Sequence, residues 1–79
     1  MVPLSEVNSG MQVRVVKISV GSLLKSRLEQ LGLFPGSLVE VLTNNKGHVL
    51  VKAYGSLISL SKGIASNILV EKLSNLQIE

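Results

Sequence analysis

The 79 residues include no cysteine and no tryptophan, and aspartate is missing too. Aromatic rings are nearly absent: Phe34 and Tyr54 are the only ones. Without cysteine there can be no disulfide, which fits a reducing compartment. A chain this short buries only about 60% of the surface its unfolded form exposes, so its stability must come from tight packing or association. Without aspartate or cysteine there is no Ser–His–Asp triad and no thiolate nucleophile. A Ser–His–Glu set would need His48, which falls in an expected hairpin loop open to water. The five glutamates, Glu6, Glu29, Glu40, Glu71 and Glu79, lie apart in the fold expected below, so no carboxylate pair for acid–base work is expected. No phosphate-cradling Gly-x-x-x-x-Gly-Lys-Ser/Thr occurs. The sequence therefore predicts that the protein is not an enzyme.

Long apolar runs are missing as well. No stretch reaches the roughly 18 residues that a membrane span requires. The segment Met1-Val2-Pro3-Leu4-Ser5-Glu6 has neither the basic nor the apolar region of a secretion signal, so a soluble cytoplasmic protein is expected. Yet 46% of the residues are hydrophobic and only 16% are charged. Eight Lys and Arg residues against five Glu give a net charge of +3. These cations are Arg14, Lys17, Lys25, Arg27, Lys46, Lys52, Lys62 and Lys72, scattered rather than clustered. Nucleic-acid binders usually gather such charges beside stacking aromatics. Here the scatter suits solubility instead, and no nucleic-acid partner is expected. A first-row metal needs converging His, Cys or carboxylate ligands. His48 is the weak candidate, with a second chain completing the set; otherwise it is a solvated loop histidine.

What is present is a series of short elements in one domain, with a core over residues 4–73 and a frayed tail over 74–79. Residues 4–10 form an opening segment that ends in a glycine turn. Met11, Val13 and Val15 alternate with polar residues as in a strand, and Val16-Lys17-Ile18 breaks the phase, which predicts a bulge near Val15 or Val16. Ser22 is expected to cap a helix, with Leu24, Leu28 and Leu31 as its apolar stripe. Gly32 is placed to end that helix in a left-handed conformation, with Leu33 packing back on the last turn. Pro35-Gly36 supplies the centre of a type II turn.

Strands are expected over 37–43 and 49–54. A three-residue loop, Asn45-Lys46-Gly47 with Gly47 left-handed, would set Val41 opposite Val51 and Glu40 opposite Lys52. Further strands are expected over 57–60 and 68–73, separated by one helical turn that Ser61 caps. Five short strands, one helix and a single turn predict an all-β fold, a small SH3-like barrel. In that register the outer face of the hairpin pairs Leu38 with Tyr54 and Leu42 with Leu50. Either the helix or the opening segment covers this apolar patch, or it is a docking or dimer surface. Phe34 either closes the barrel end or protrudes as an anchor.

The stretch Arg27-Leu28…Leu31-Gly32-Leu33-Phe34-Pro35-Gly36…Val39-Glu40-Val41, followed by Leu60…Ala65-Ser66-Asn67-Ile68-Leu69-Val70, resembles the signature of the FeoA family, the small ferrous iron transport protein A. The likeness runs from about Leu4 to Leu73. It departs at Asn44-Asn45-Lys46-Gly47, where the family often has Gly-Pro or Gly-Asp-Pro, and at Leu60-Ser61, where it has Leu-Arg. The resemblance implies an SH3-like barrel that accompanies the FeoB-type membrane iron transporter by binding its cytosolic region, and so recruitment to the inner face of the membrane. It implies kinship with the C-terminal domain of metal-dependent repressors of the diphtheria-toxin-repressor type, hence a metal-responsive regulatory module as an alternative. A transition metal, Fe²⁺, is implied by the resemblance alone. The expected partner-binding residues are Leu33, Phe34, Pro35, Leu38, Leu42, Leu50 and Tyr54, with weak homo-oligomerisation as a further expectation.

Overall fold

Short runs of Val, Ile and Leu at alternate positions can only bury one face by curling a sheet around it, and the chain does so. The computed structural model describes residues 1–73; the expected tail over 74–79 lies outside them. The elements are β1 (Val2–Pro3), a 3-10 turn (Leu4–Glu6), β2 (Gln12–Ile18), α1 (Ser22–Gln30), β3 (Leu38–Asn44), β4 (His48–Ala53), β5 (Ser56–Ser61), α2 (Lys62–Ala65) and β6 (Ile68–Lys72). One antiparallel sheet contains all six strands in the order β1-β6-β2-β3-β4-β5. Curled on itself, it makes the small SH3-like barrel that the sequence predicts, with β1 and β5 as its free edges. β1 is not expected from the sequence, because two residues are too few to show a periodicity; they pair with Val70 and Leu69 of β6.

The inward residues form one core. Val13, Val15, Val39, Val41, Val49, Val51, Ala53, Ile58, Leu60, Ile68 and Val70 come from the strands, Leu28 and Ala65 from the helices, and Leu4, Val7 and Leu33 from the connections. The pairing of β2 with β6 slips between Val15 and Lys17, so the phase break in the sequence is a real bulge at Val16. The hairpin has the expected Val41–Val51 and Glu40–Lys52 partners.

Several local expectations fail. The β3–β4 bulge lies at Leu42, where the register shifts to Thr43–Leu50 and Asn44–Val49, so Leu42 and Leu50 are not opposite one another. Gly47 is not left-handed. Instead the Asn45 side-chain oxygen accepts from the N–H groups of Gly47 and His48, at 3.1 and 3.0 Å, and closes the loop as an Asx turn. Ser22 is the first residue of α1 rather than its cap; Gly21 holds the cap position with no side chain to offer. Leu31 is past the last helical turn and 45% exposed, so the buried stripe is reduced to Leu28 with Leu24 half-covered. Glu40 and Lys52 are cross-strand neighbours without forming an ion pair, and among the described residues Arg14–Glu71, at 3.4 Å across β2 and β6, is the pair that forms. The Ser61 cap is as expected: its hydroxyl accepts the Ile64 N–H at 3.2 Å.

Candidate docking site

The chemistry of the surface starts at the reversal between α1 and β3. Gly32 has φ +99°, the C′ position of a helix. The Leu33 N–H bonds the Leu28 carbonyl at 2.8 Å and the Gly32 N–H bonds the Glu29 carbonyl at 3.0 Å. This pair of bonds is the Schellman arrangement, which satisfies two of the helix's last carbonyls. Leu33 is then wholly buried and packs in the core. It supports the surface from beneath and is not available to a partner, unlike the other residues expected at the site.

The next turn is pinned more tightly. The Ser37 N–H reaches the Phe34 carbonyl at 2.9 Å, and Gly36 has φ +96°, as a type II turn demands. The buried Ser37 hydroxyl donates to the Phe34 carbonyl at 2.7 Å and accepts the Phe34 N–H at 3.2 Å. Gly36 N–H and Ser37 carbonyl both bond Val15, at 2.7 and 3.0 Å, which rivets the elbow to β2. Phe34, half-buried, therefore sits on a fixed backbone.

Its ring meets Tyr54. The two rings stack with centroids 5.9 Å apart and planes inclined by 6°. Tyr54 is not a strand residue, as the sequence suggests, but the first central residue of a two-residue hairpin between β4 and β5. Its φ of +51° and that of Gly55, +83°, are those of a type I′ turn, with Ala53 paired to Ser56. Left-handed backbone is costly for a bulky residue. Gly32 makes room for this ring: a Cβ there would stand 2.9 Å from Tyr54 Cδ2. The signal in the sequence is Tyr-Gly between two strand-like runs, but a tyrosine where Asn or Asp is usual hides it.

Tyr54 and Leu38, 67% and 50% exposed, border an open depression of about 250 Å³ together with Gln12, Val39, Glu40, Lys52 and Gly55. Cross-strand pairing lines up Gln12, Glu40 and Lys52 on its floor. Neither α1 nor the opening segment covers Leu38 and Tyr54. Of the remaining expected contacts, Pro35 is exposed beside Phe34, whereas Leu42 and Leu50 are half-buried around the β3 bulge and line no part of the depression. His48 is exposed at the start of β4. Among the described residues no three of His, Cys, Asp or Glu come together, so they offer no donor set that fits a resident metal. The site presents an apolar aromatic rim and a floor carrying one carboxylate and one ammonium group, an arrangement suited to gripping a polypeptide.

Comparison with known proteins gives a consistent result. Residues 2–72 match the profile of the FeoA domain. A Methanocaldococcus jannaschii protein assigned as Fe(2+) transport protein A is 37% identical over 71 residues, covering 90% of this chain and 87% of the relative. The crystal structure of an iron uptake regulatory protein, FeoA, superposes with a TM-score of 0.82 at 33% identity, covering 91% of this chain and 97% of that one. A manganese-dependent transcriptional repressor shares the fold, with a TM-score of 0.79 at 22% identity; the match covers 90% of this chain but 41% of the repressor.

Proposed function

The chain belongs to the FeoA family of ferrous iron transport proteins, and from that premise we propose that it is a non-enzymatic accessory of ferrous iron uptake. It docks on the cytosolic part of a FeoB-type transporter and modulates transport. The docking surface is the rim formed by Phe34, Pro35, Leu38 and Tyr54 over the Glu40–Lys52 floor. Ferrous iron is then the cargo of the system rather than a resident of this chain. Among the described residues no helix is long and apolar enough to cross a membrane, and contact with the membrane comes through the transporter.

One observation carries the reading. Tyr54 is held in a costly left-handed conformation, stacked on Phe34, and still two-thirds exposed. Strain and rigidity at an exposed aromatic serve recognition better than stability. The test is calorimetric titration of the transporter's cytosolic region with wild-type protein, Leu38→Lys and Phe34→Ala. Each variant should bind at least about 10-fold more weakly, the loss expected when an interface anchor is removed. Circular dichroism should remain native. Wild-type affinity in both variants would remove this surface from consideration.

The fold shared with the manganese-dependent repressor favours a second reading, a regulatory module that responds to metal. Titration with Fe²⁺ or Zn²⁺ separates the two: shifts of the His48 resonances at sub-millimolar metal support the regulatory reading, and their absence supports the accessory one.

A further inference from the structure

The two free edges of the sheet are treated differently. β1 is two residues long and one of them is Pro3, so it offers almost nothing for another strand to bond. β5 is six residues long, Ser56-Leu57-Ile58-Ser59-Leu60-Ser61. It has no proline, no glycine and no bulge, and among the described residues it is the only strand of more than two residues without a charged side chain. Charge, proline and bulges are the usual guards of an exposed edge; β5 has none of them.

The ladder parity shows which of its backbone groups are free. Lys62 N–H bonds the Gly47 carbonyl at 3.2 Å, continuing the register in which Leu60, Ile58 and Ser56 face Val49, Val51 and Ala53. Residues two apart share the same role in an antiparallel ladder. The N–H and C=O groups of Leu57 and Ser59 and the N–H of Ser61 therefore point away from β4 and meet no turn or loop partner among the described residues, whereas the Ser61 carbonyl, at the cap of α2, takes the first bond of that helix.

We propose that β5 pairs antiparallel with β5 of a second copy of this chain, about a two-fold axis at Ser59. The strand is self-complementary in that register. Ser59 faces its own counterpart in a doubly hydrogen-bonded pair, and Leu57 faces Ser61 and Ser61 faces Leu57, each of these pairs joined by the Ser61 N–H on the Leu57 carbonyl. On the inner face Ile58 lies opposite Leu60 and Leu60 opposite Ile58, so apolar meets apolar across the seam. No charge lies on the seam to oppose the approach of two chains that each carry +3. A five-residue seam falls well short of the roughly 1,200 Å² buried in a stable complex, so the dimer is weak and forms at high local concentration. The depression under Tyr54 lies on the outer face of the sheet and the seam along its edge.

Sedimentation velocity and amide NMR over a concentration series, from micromolar to millimolar full-length chain, test this. The wild type should pass from monomer to dimer. The Leu57, Ser59 and Ser61 amides should shift with concentration and those of Ser59 and Ser61 gain exchange protection, while those of Ile58 and Leu60 remain protected throughout. Ser59→Lys puts two like charges at the axis and should stay monomeric with an unchanged melting temperature. Ser59→Pro deletes a donor that only the seam uses and should do the same. A wild type that remains monomeric at millimolar concentration overturns the proposal, as does a dimer that persists in Ser59→Lys. Protection of the Ser59 and Ser61 amides only on addition of a peptide from the transporter's cytosolic region would also overturn it, assigning the edge to that peptide instead.

Discussion

Phe34 and Tyr54, contributed by two different turns, lie face to face at 5.9 Å with their planes 6° apart. One turn ends a helix and the other joins two strands, so the contact fixes the relative position of α1's exit and the far end of the β4–β5 hairpin. A stacked pair of this kind adds about 0.5–1.5 kcal/mol beyond the area it buries.

Gly32→Ala should be among the more damaging small changes. It forces a side chain into left-handed backbone and sets a methyl 2.9 Å from the Tyr54 ring. A loss of about 1–3 kcal/mol is expected, with the Phe34–Tyr54 ring cross-peaks lost from NMR spectra. Gly36→Ala meets open space, so its cost should be that of φ alone, about 1 kcal/mol, with the ring contact intact. Urea denaturation of the pair measures both.

Tyr54→Asn separates stability from recognition. Asparagine tolerates left-handed backbone well, so the relief there offsets the lost stack. Stability should stay within about 1 kcal/mol of wild type by thermal denaturation. Binding to the transporter's cytosolic region should nevertheless fall at least about 10-fold. Full retention of affinity would show that the ring is a structural ornament of the turn.

Asn44 ties the opening segment down. Its amide nitrogen donates to the carbonyls of Ser5 and Val7, at 3.0 and 2.7 Å, and Lys62 Nζ adds a third bond to the Ser5 carbonyl at 2.9 Å. The buried Asn44 Oδ1 has no partner among the described residues, so the residue contributes through the bonds it donates. Asn44→Ala should cost about 1–3 kcal/mol. Hydrogen exchange should quicken first at β1 and the 3-10 turn.

Arg14→Ala should do little. The Arg14–Glu71 pair is nearly half exposed at both ends, and such pairs contribute about 0–1 kcal/mol. A change in urea midpoint beyond that range would mean that Arg14 does more than pair with Glu71.

Much of this architecture could be read from the chain because its signals are local. Gly32 and Pro35-Gly36 state the elbow, the broken alternation at Val16 states the bulge, and hairpin parity states the Val41–Val51 register. What escaped depends on contacts between distant residues. The Leu42 bulge arises where β3 must bend, and nothing in Leu-Thr-Asn marks it. β1 exists only because β6 is there to receive it. For the site, strand alternation puts Leu38 on the outer face, where the structure sets it beside Tyr54, the ring that stacks on Phe34. Leu33 could not be told from its exposed neighbours, because burial at a corner depends on what closes over it. The stacking of Tyr54 on Phe34 needs a left-handed tyrosine, which propensity argues against.

β2 sits between β3 and β6, so Val15 has one neighbour close by in the chain and another, Val70, near its end. During synthesis, β2 to β5 can emerge from the ribosome and curl while one flank of β2 stays bare. The barrel is finished only when β6 arrives and slots between β2 and β1. Assembly is thus gated by the arrival of β6, and a message cut short before that strand yields a nascent polypeptide with a sticky, unzipped side that quality-control proteases should remove.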